Sequence, residues 1–178
     1  MRARIHRLLL QLYARLPRGP RRLIVRLMSP SYTVGAMCFI ERPDGAVLFV
    51  GTAYRRRWGV PGGLLQRGEE PGDGARREVL EEVGLPVELV GEPSVVVDPA
   101  PQRVDIIYRA RLIDPASVGD VRVGTPEIVE ARWFRPDELP ELQFETAGAL
   151  VALARSAAAP QAVPLPAGEL VARFTLDR

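Results

Sequence analysis

Apolar positions in the first part of the chain recur at helical spacing. Ile5, Leu8, Leu9, Leu12 and Leu16 share one face, and Arg4, Arg7, Gln11, Arg15 and Arg18 fall on the other. Pro17-Arg18-Gly19-Pro20 interrupts this amphipathic helix. A shorter basic segment with Leu23, Ile24 and Leu27 follows as far as Ser29-Pro30. From Ser31 the period shortens to that of strands. Residues 32–41, the turn Arg42-Pro43-Asp44-Gly45 and residues 46–50 read as a hairpin. A Gly-rich stretch and a helix of about 12 residues ending at Gly84 come next. Extended segments are expected at 87–98, at 103–113 and at 128–134. Residues 142–156 read as a closing helix with Phe144, Ala147, Leu150, Val151 and Ala154 on its apolar face. The tail from 157 is punctuated by proline, and its alternating Leu170, Ala172, Phe174 and Leu176 suit an edge strand. Strands interleaved with helices place the fold in the α/β class.

Charge divides the 178 residues unequally. Residues 1–30 hold eight arginines and no acid, so a formal net charge of +2 leaves the remaining 148 residues at −6. Such a head could adsorb to an anionic membrane surface or to nucleic acid. We favour instead a helical hairpin whose leucines dock on the domain or on a second subunit, which speaks against nucleic acid as a partner and for a homodimer. No apolar run approaches the ~20 residues that span a bilayer. Every basic residue is arginine, with no lysine or asparagine, which looks like the coding bias of a GC-rich bacterium and points to the cytoplasm.

The same composition excludes several chemistries. Without lysine there is no Schiff base and no ordinary P-loop. One histidine, His6, and one cysteine, Cys38, cannot build a zinc site or a disulfide framework. Carboxylates, with a metal, must carry acid and base work. Glu78, Glu81 and Glu82 stand at i, i+3 and i+4, which gathers three carboxylates on one helical turn, while Ala75, Val79 and Val83 can anchor another face in the core. Oxygen donors so grouped suit Mg²⁺ or Mn²⁺. Taken alone, the helix also reads as an exposed acidic face paired with Arg76 and Arg77.

The flanks decide between these readings. Gly63, Glu69, Arg77-Glu78-Val79, Glu81-Glu82 and Gly84-Leu85 fit the pattern GX5EX7REUXEEXGU, with U aliphatic, at all nine specified positions. The segment therefore resembles the Nudix box, and average residue frequencies would produce it in far fewer than about one in a million chains of this length. Trp58-Gly59-Val60-Pro61-Gly62-Gly63 resembles the usual lead-in, and Glu130-Ala131-Arg132-Trp133-Phe134 with Asp137-Glu138-Leu139 resembles the family's last strand and its exit. The resemblance spans residues 31–156. It leaves 1–30 as a basic helical extension and 157–178 as a tail.

The resemblance implies an α/β/α sandwich with a mixed sheet, and metal-dependent cleavage of a pyrophosphate bond in a nucleoside diphosphate derivative. Carried over by position, Glu78, Glu81 and Glu82 would be the metal ligands, Glu69 and Arg77 would tie loop to helix, and Gly62, Gly63 and Gly84 would supply tight turns. Glu127, six residues before Trp133, sits where many members place a further ligand or base. The base is expected among Glu78, Glu81, Glu82 and Glu127, and Arg55 and Arg57 in the run before the box are candidates to clamp phosphates. Pro101, sixteen residues after Leu85, resembles a feature of members that cleave ADP-ribose. ADP-ribose or a nucleotide sugar therefore leads as the substrate. The alternatives are (deoxy)nucleoside triphosphates and a non-catalytic ligand sensor.

Overall fold

A computed structural model describes residues 6, 7, 11 and 13–158. Ile5, Leu8, Leu9 and Leu12 of the first amphipathic helix, and the edge strand expected in the tail, lie outside the described residues.

Helix α1 (Arg18–Met28) begins just after Pro17 and keeps Pro20 in its first turn, where a missing N–H costs no helical hydrogen bond. None of its residues is buried. The expected docking of this segment's leucines on the domain is therefore not seen.

Among the described residues the sheet has six strands: β1 (Thr33–Glu41), β2 (Val47–Thr52), β3 (Gly62–Leu64), β4 (Val87–Asp98), β5 (Arg103–Leu112) and β6 (Ile128–Phe134). Its order is β4-β5-β1-β2-β6, with β3 paired to β1 off this path. β1 runs parallel to β5, and the other pairings are antiparallel, so the sheet is mixed. The β1–β2 turn is closed by Gly45 N–H to Arg42 C=O at 2.9 Å, with Gly45 at φ 81°, a backbone region that glycine enters without strain. A register shift between Val90 and Ser94 bends β4.

Alternation along β1 directs successive side chains to two cores. Ala36, Cys38 and Ile40 pack with Leu48, Val50 and Ala110 against Ala75, Val79 and Val83 of helix α2 (Pro71–Val83). Met37 and Phe39 pack with Phe49 and Ile107 against Ala149 and Leu153 of helix α3 (Phe144–Ala158). The result is a three-layer α/β/α sandwich. In α3 the expected face is not the buried one. Thr146, Ala149 and Leu153 face the sheet, whereas Phe144, Val151 and Ala154 are exposed. The helix is apolar nearly all round, so periodicity alone cannot choose the side that faces the sheet.

α2 ends at Gly84, which adopts the left-handed conformation at φ 71°. Its free carbonyls are taken up from outside: Arg122 N–H donates to Val83 O at 3.0 Å and Gly124 N–H to Glu82 O at 2.9 Å. Among the described residues no helix is long and apolar enough to cross a membrane.

Candidate active site

β1 meets β2 at a single pair, Glu41 with Val47, and its opposite half is taken by β3 through Gly35–Leu64, Ala36–Gly63 and Met37–Gly62. β2 and β3 thus diverge, and a cavity of about 530 Å³ opens where they part. The start of α3 and the loop before β6 close its rim. Glu78, Glu82 and Glu127 all line it, as do Gly62, Gly63 and Arg55.

Glu82 is the buried member, 8% exposed, although the three acids were expected on a face apart from the one that Ala75, Val79 and Val83 anchor in the core. It lies three residues after Val79 and beside Val83, so the anchoring face of α2 carries it inward. Its carboxylate accepts the Gly62 N–H at 3.1 Å. Burial pushes its pKa up to about 8, the Gly62 hydrogen bond opposes the rise, and the charges of Glu78, Glu127 and Glu81 add to it. Glu78 packs on Gly63 so closely that a Cβ there would lie 2.6 Å from its carboxylate. A Cβ on Gly62 would overlap the Ala36 carbonyl. Both glycines therefore permit a close approach of β3, β1 and α2.

Arg77 organises the acids around it. Its Nε and Nη2 donate to the two oxygens of Glu69 at 2.7 and 3.0 Å, and Nη2 reaches Leu64 O at 3.4 Å. Its Nη1 donates to Glu78 at 2.8 Å and to Glu81 at 3.1 Å. The Arg77 hydrogen bonds, with one from Gln66 N–H, hold the Glu69 carboxyl down at about 2. The loop that carries Glu69 is thereby tied to the helix.

Glu81 is placed differently from its neighbours. Its side chain is 52% exposed, turned to Arg77, and does not line the cavity. Among the described residues no three acidic, thiol or imidazole side chains are assembled to hold one ion as they stand. The donor set nevertheless suits a divalent cation. Glu78, Glu127 and Glu81 crowd a buried carboxylate with like charge, which a cation relieves.

On the opposite wall, Glu127 accepts the Tyr54 hydroxyl, and this hydrogen bond raises the Tyr54 pKa. The pair is held by β2 and β6, through Thr52 against Ile128 and Ala53 N–H to Glu127 O at 2.9 Å. Arg55 reaches the cavity from the same loop and donates to Gln143 and Glu145 at 3.0 and 3.1 Å. Arg57 does not reach it; its exposed guanidinium pairs with Glu141 at 2.6 Å. The chain bends at residues 56 and 57, which turns this side chain to Glu141 in the segment before α3, while Arg55 keeps to the cavity side.

Tyr54, Arg103 and Gln143 also line the cavity and were not singled out by sequence. Arg103 Nε is held by both oxygens of Asp105, at 2.8 and 2.9 Å. One signal pointed there: Asp105 alternates onto the same face of β5 as the fully buried Ile107, and it is itself only 6% exposed. Pro101 lies in the exposed turn between β4 and β5, away from the cavity lining.

A three-layer sandwich with a glutamate-bearing helix at the mouth of a cavity defines the class, and comparison with known proteins gives the family. The NUDIX domain model matches residues 31–155, and the chain belongs to the Nudix hydrolase family. A MutT-like protein of Streptomyces ambofaciens is 31% identical over 116 residues, 65% of this chain and 72% of that one. The mouse oxidized purine nucleoside triphosphate hydrolase is 36% identical over 91 residues, and the match spans 47% of this chain and 53% of that protein. Among solved structures, a NUDIX hydrolase from Nitrosomonas europaea superposes with a TM-score of 0.60 at 29% identity, covering 68% of this chain and 69% of that one. Nudix hydrolases generally use a divalent metal and act on nucleotide-type substrates.

Proposed function

We propose that this chain hydrolyses the pyrophosphate bond of a nucleoside diphosphate derivative, of the ADP-ribose or nucleotide-sugar type, with Mg²⁺ or Mn²⁺. The observation that carries the proposal is the meeting of Glu78, Glu82 and Glu127, from two separate parts of the sheet-and-helix framework, at one cavity that Arg55 and Arg103 also enter. Acids and guanidinium groups facing one another across a cleft suit a substrate that is itself a chain of phosphates flanked by cations.

Glu78 and Glu82 would hold the metal, and Glu81 would join them by exchanging its contact with Arg77. When bound, the ion supplies neutralisation of phosphoryl oxygens and a lowered pKa for the attacking water. The protein's own groups do the rest. Glu82, whose ordinary pKa is lifted by burial, and Glu127, steadied by Tyr54, are the carboxylates placed to take a proton from water. Arg55 and Arg103 orient the phosphates, and Gln143 offers an amide to the group beyond them.

A second reading, cleavage of (deoxy)nucleoside triphosphates, is favoured by the identity to the mouse triphosphate hydrolase. Product analysis separates the two. With Mg²⁺ present, ADP-ribose should yield AMP and ribose 5-phosphate, and nucleotide sugars a nucleoside monophosphate and a sugar phosphate. Release of pyrophosphate from dNTPs, with ADP-ribose and nucleotide sugars untouched, would replace the first reading by the second.

A further inference from the structure

Helix α1 is amphipathic, and among the described residues none of its own side chains is buried. At 3.6 residues per turn, Arg18, Arg22 and Arg26 stand at i, i+4 and i+8 along one stripe, while Leu23, Ile24, Leu27 and Met28 share the opposite arc. Leu23, Leu27 and Met28 are 57%, 75% and 82% exposed. The Arg21 guanidinium lies over the Tyr13 ring, 5.1 Å from its centroid, and joins α1 to the basic segment before it. Residues 1–30 together carry eight arginines and no acid.

We infer that α1 is a docking surface for an anionic lipid bilayer. The two stripes meet the two demands of an interfacial helix: arginines in the headgroup layer and leucines below it. Neither nucleic acid nor a second copy of the segment uses both. Nucleic acid would engage the arginines and leave the apolar arc in water. A second copy of the same segment would bring eight more arginines to face the first eight, with no acid to pair them. The charge separation, +8 in residues 1–30 and −6 in the remainder, also turns the head toward a negative surface.

The test is flotation of the full chain with vesicles of phosphatidylcholine alone and of phosphatidylcholine mixed with phosphatidylglycerol. Two variants accompany it: the triple Arg18→Gln, Arg22→Gln, Arg26→Gln, and the double Leu23→Gln, Leu27→Gln. No residue of α1 is buried, so both should melt with the wild type, and a melting scan checks this. The wild type should float with the mixed vesicles only, and added salt should weaken it. At about fivefold per arginine, the triple variant should lose partitioning by a factor on the order of 100. The double variant should lose at least about tenfold with every charge retained. No flotation, equal flotation with neutral vesicles, or unchanged flotation of either variant overturns the inference. So does retention of duplex DNA in preference to vesicles, which assigns the arginines to nucleic acid. A dimer that the leucine substitutions dissociate, in a protein that ignores vesicles, assigns the apolar arc to a second copy.

Discussion

Replacing Glu82 by glutamine should make the metal-free protein more stable while nearly abolishing its activity. The folded protein holds the Glu82 carboxyl at about 8 against an ordinary value of 4.5. At pH 7 the unfolded chain ionises this group freely and the folded one does not, which costs folding about 3 kcal/mol. Glutamine has the same shape, carries no charge, and can still accept the Gly62 N–H through its carbonyl oxygen. Its amide N–H groups require partners in a site 8% exposed, which takes back part of the gain. A net stabilisation of about 1–3 kcal/mol at pH 7 is expected. The sign depends on pH. Between 4.5 and about 8 the folded state binds more protons than the unfolded one, so the wild type loses stability as pH rises through that window. The variant lacks this loss, so its advantage should grow with pH and be gone by pH 4, where only the cost of its amide remains. Urea unfolding in EDTA at several pH values measures both. Parallel stability curves for the two proteins would refute the burial argument. Turnover with Mg²⁺ should fall by a factor on the order of 10² or more. Near-normal turnover would remove Glu82 from the site.

Three further outcomes follow from the same geometry. Gly63→Ala should displace the Glu78 carboxylate, the flexible end of a side chain, and lower kcat at least about tenfold with little change in Tm; unchanged kcat would show that Glu78 need not occupy its place beside β3. Arg55→Gln should raise KM by about tenfold, the loss of one charge-assisted contact, whereas Arg57→Gln should leave kcat/KM within about twofold; equal effects of the two would place Arg57 in the site after all. Glu69, held at about 2 by Arg77, is depressed, so its contribution is complete above its ordinary 4.5 and fades as pH falls toward 2. Glu69→Gln should flatten the acid limb of the stability curve over that window, and an acid limb identical to the wild type's would mean that the Arg77 pair does not bear on folding.

The elements most legible in the sequence are those fixed by local physics. The strand at 128–134 and the end of α2 at 83 follow from alternation and from Gly84 at the helix end. The burial of Ala75, Val79 and Val83 follows from helical spacing. Their shared face also carried a warning about Glu82, which lies one turn from Val79 and cannot be exposed while Val79 and Val83 are buried. The face of α3 was not legible, because alanines and leucines surround that helix and burial is decided by which side the sheet offers. The pairing of Arg57 with Glu141 was not legible, because an arginine's reach does not tell which way its backbone turns.

By itself, the sequence determined the chemistry: which side chains exist, that carboxylates must do the work, and that a glutamate-rich turn follows a glycine loop. Helical and strand periods are short-range, so they and the box were readable without coordinates. Only the tertiary structure decided which acids meet at one cavity. The divergence of β2 from β3 opens the cavity, and the pairing of β2 with β6 brings Tyr54 to Glu127 across 73 positions of chain. Arg103 enters from a strand that pairs with β1 in parallel, a register set by contacts remote in sequence. Burial then divides the box glutamates, lifting the pKa of Glu82 and leaving Glu81 in solvent, because desolvation depends on everything that surrounds a group in space and not on its neighbours along the chain.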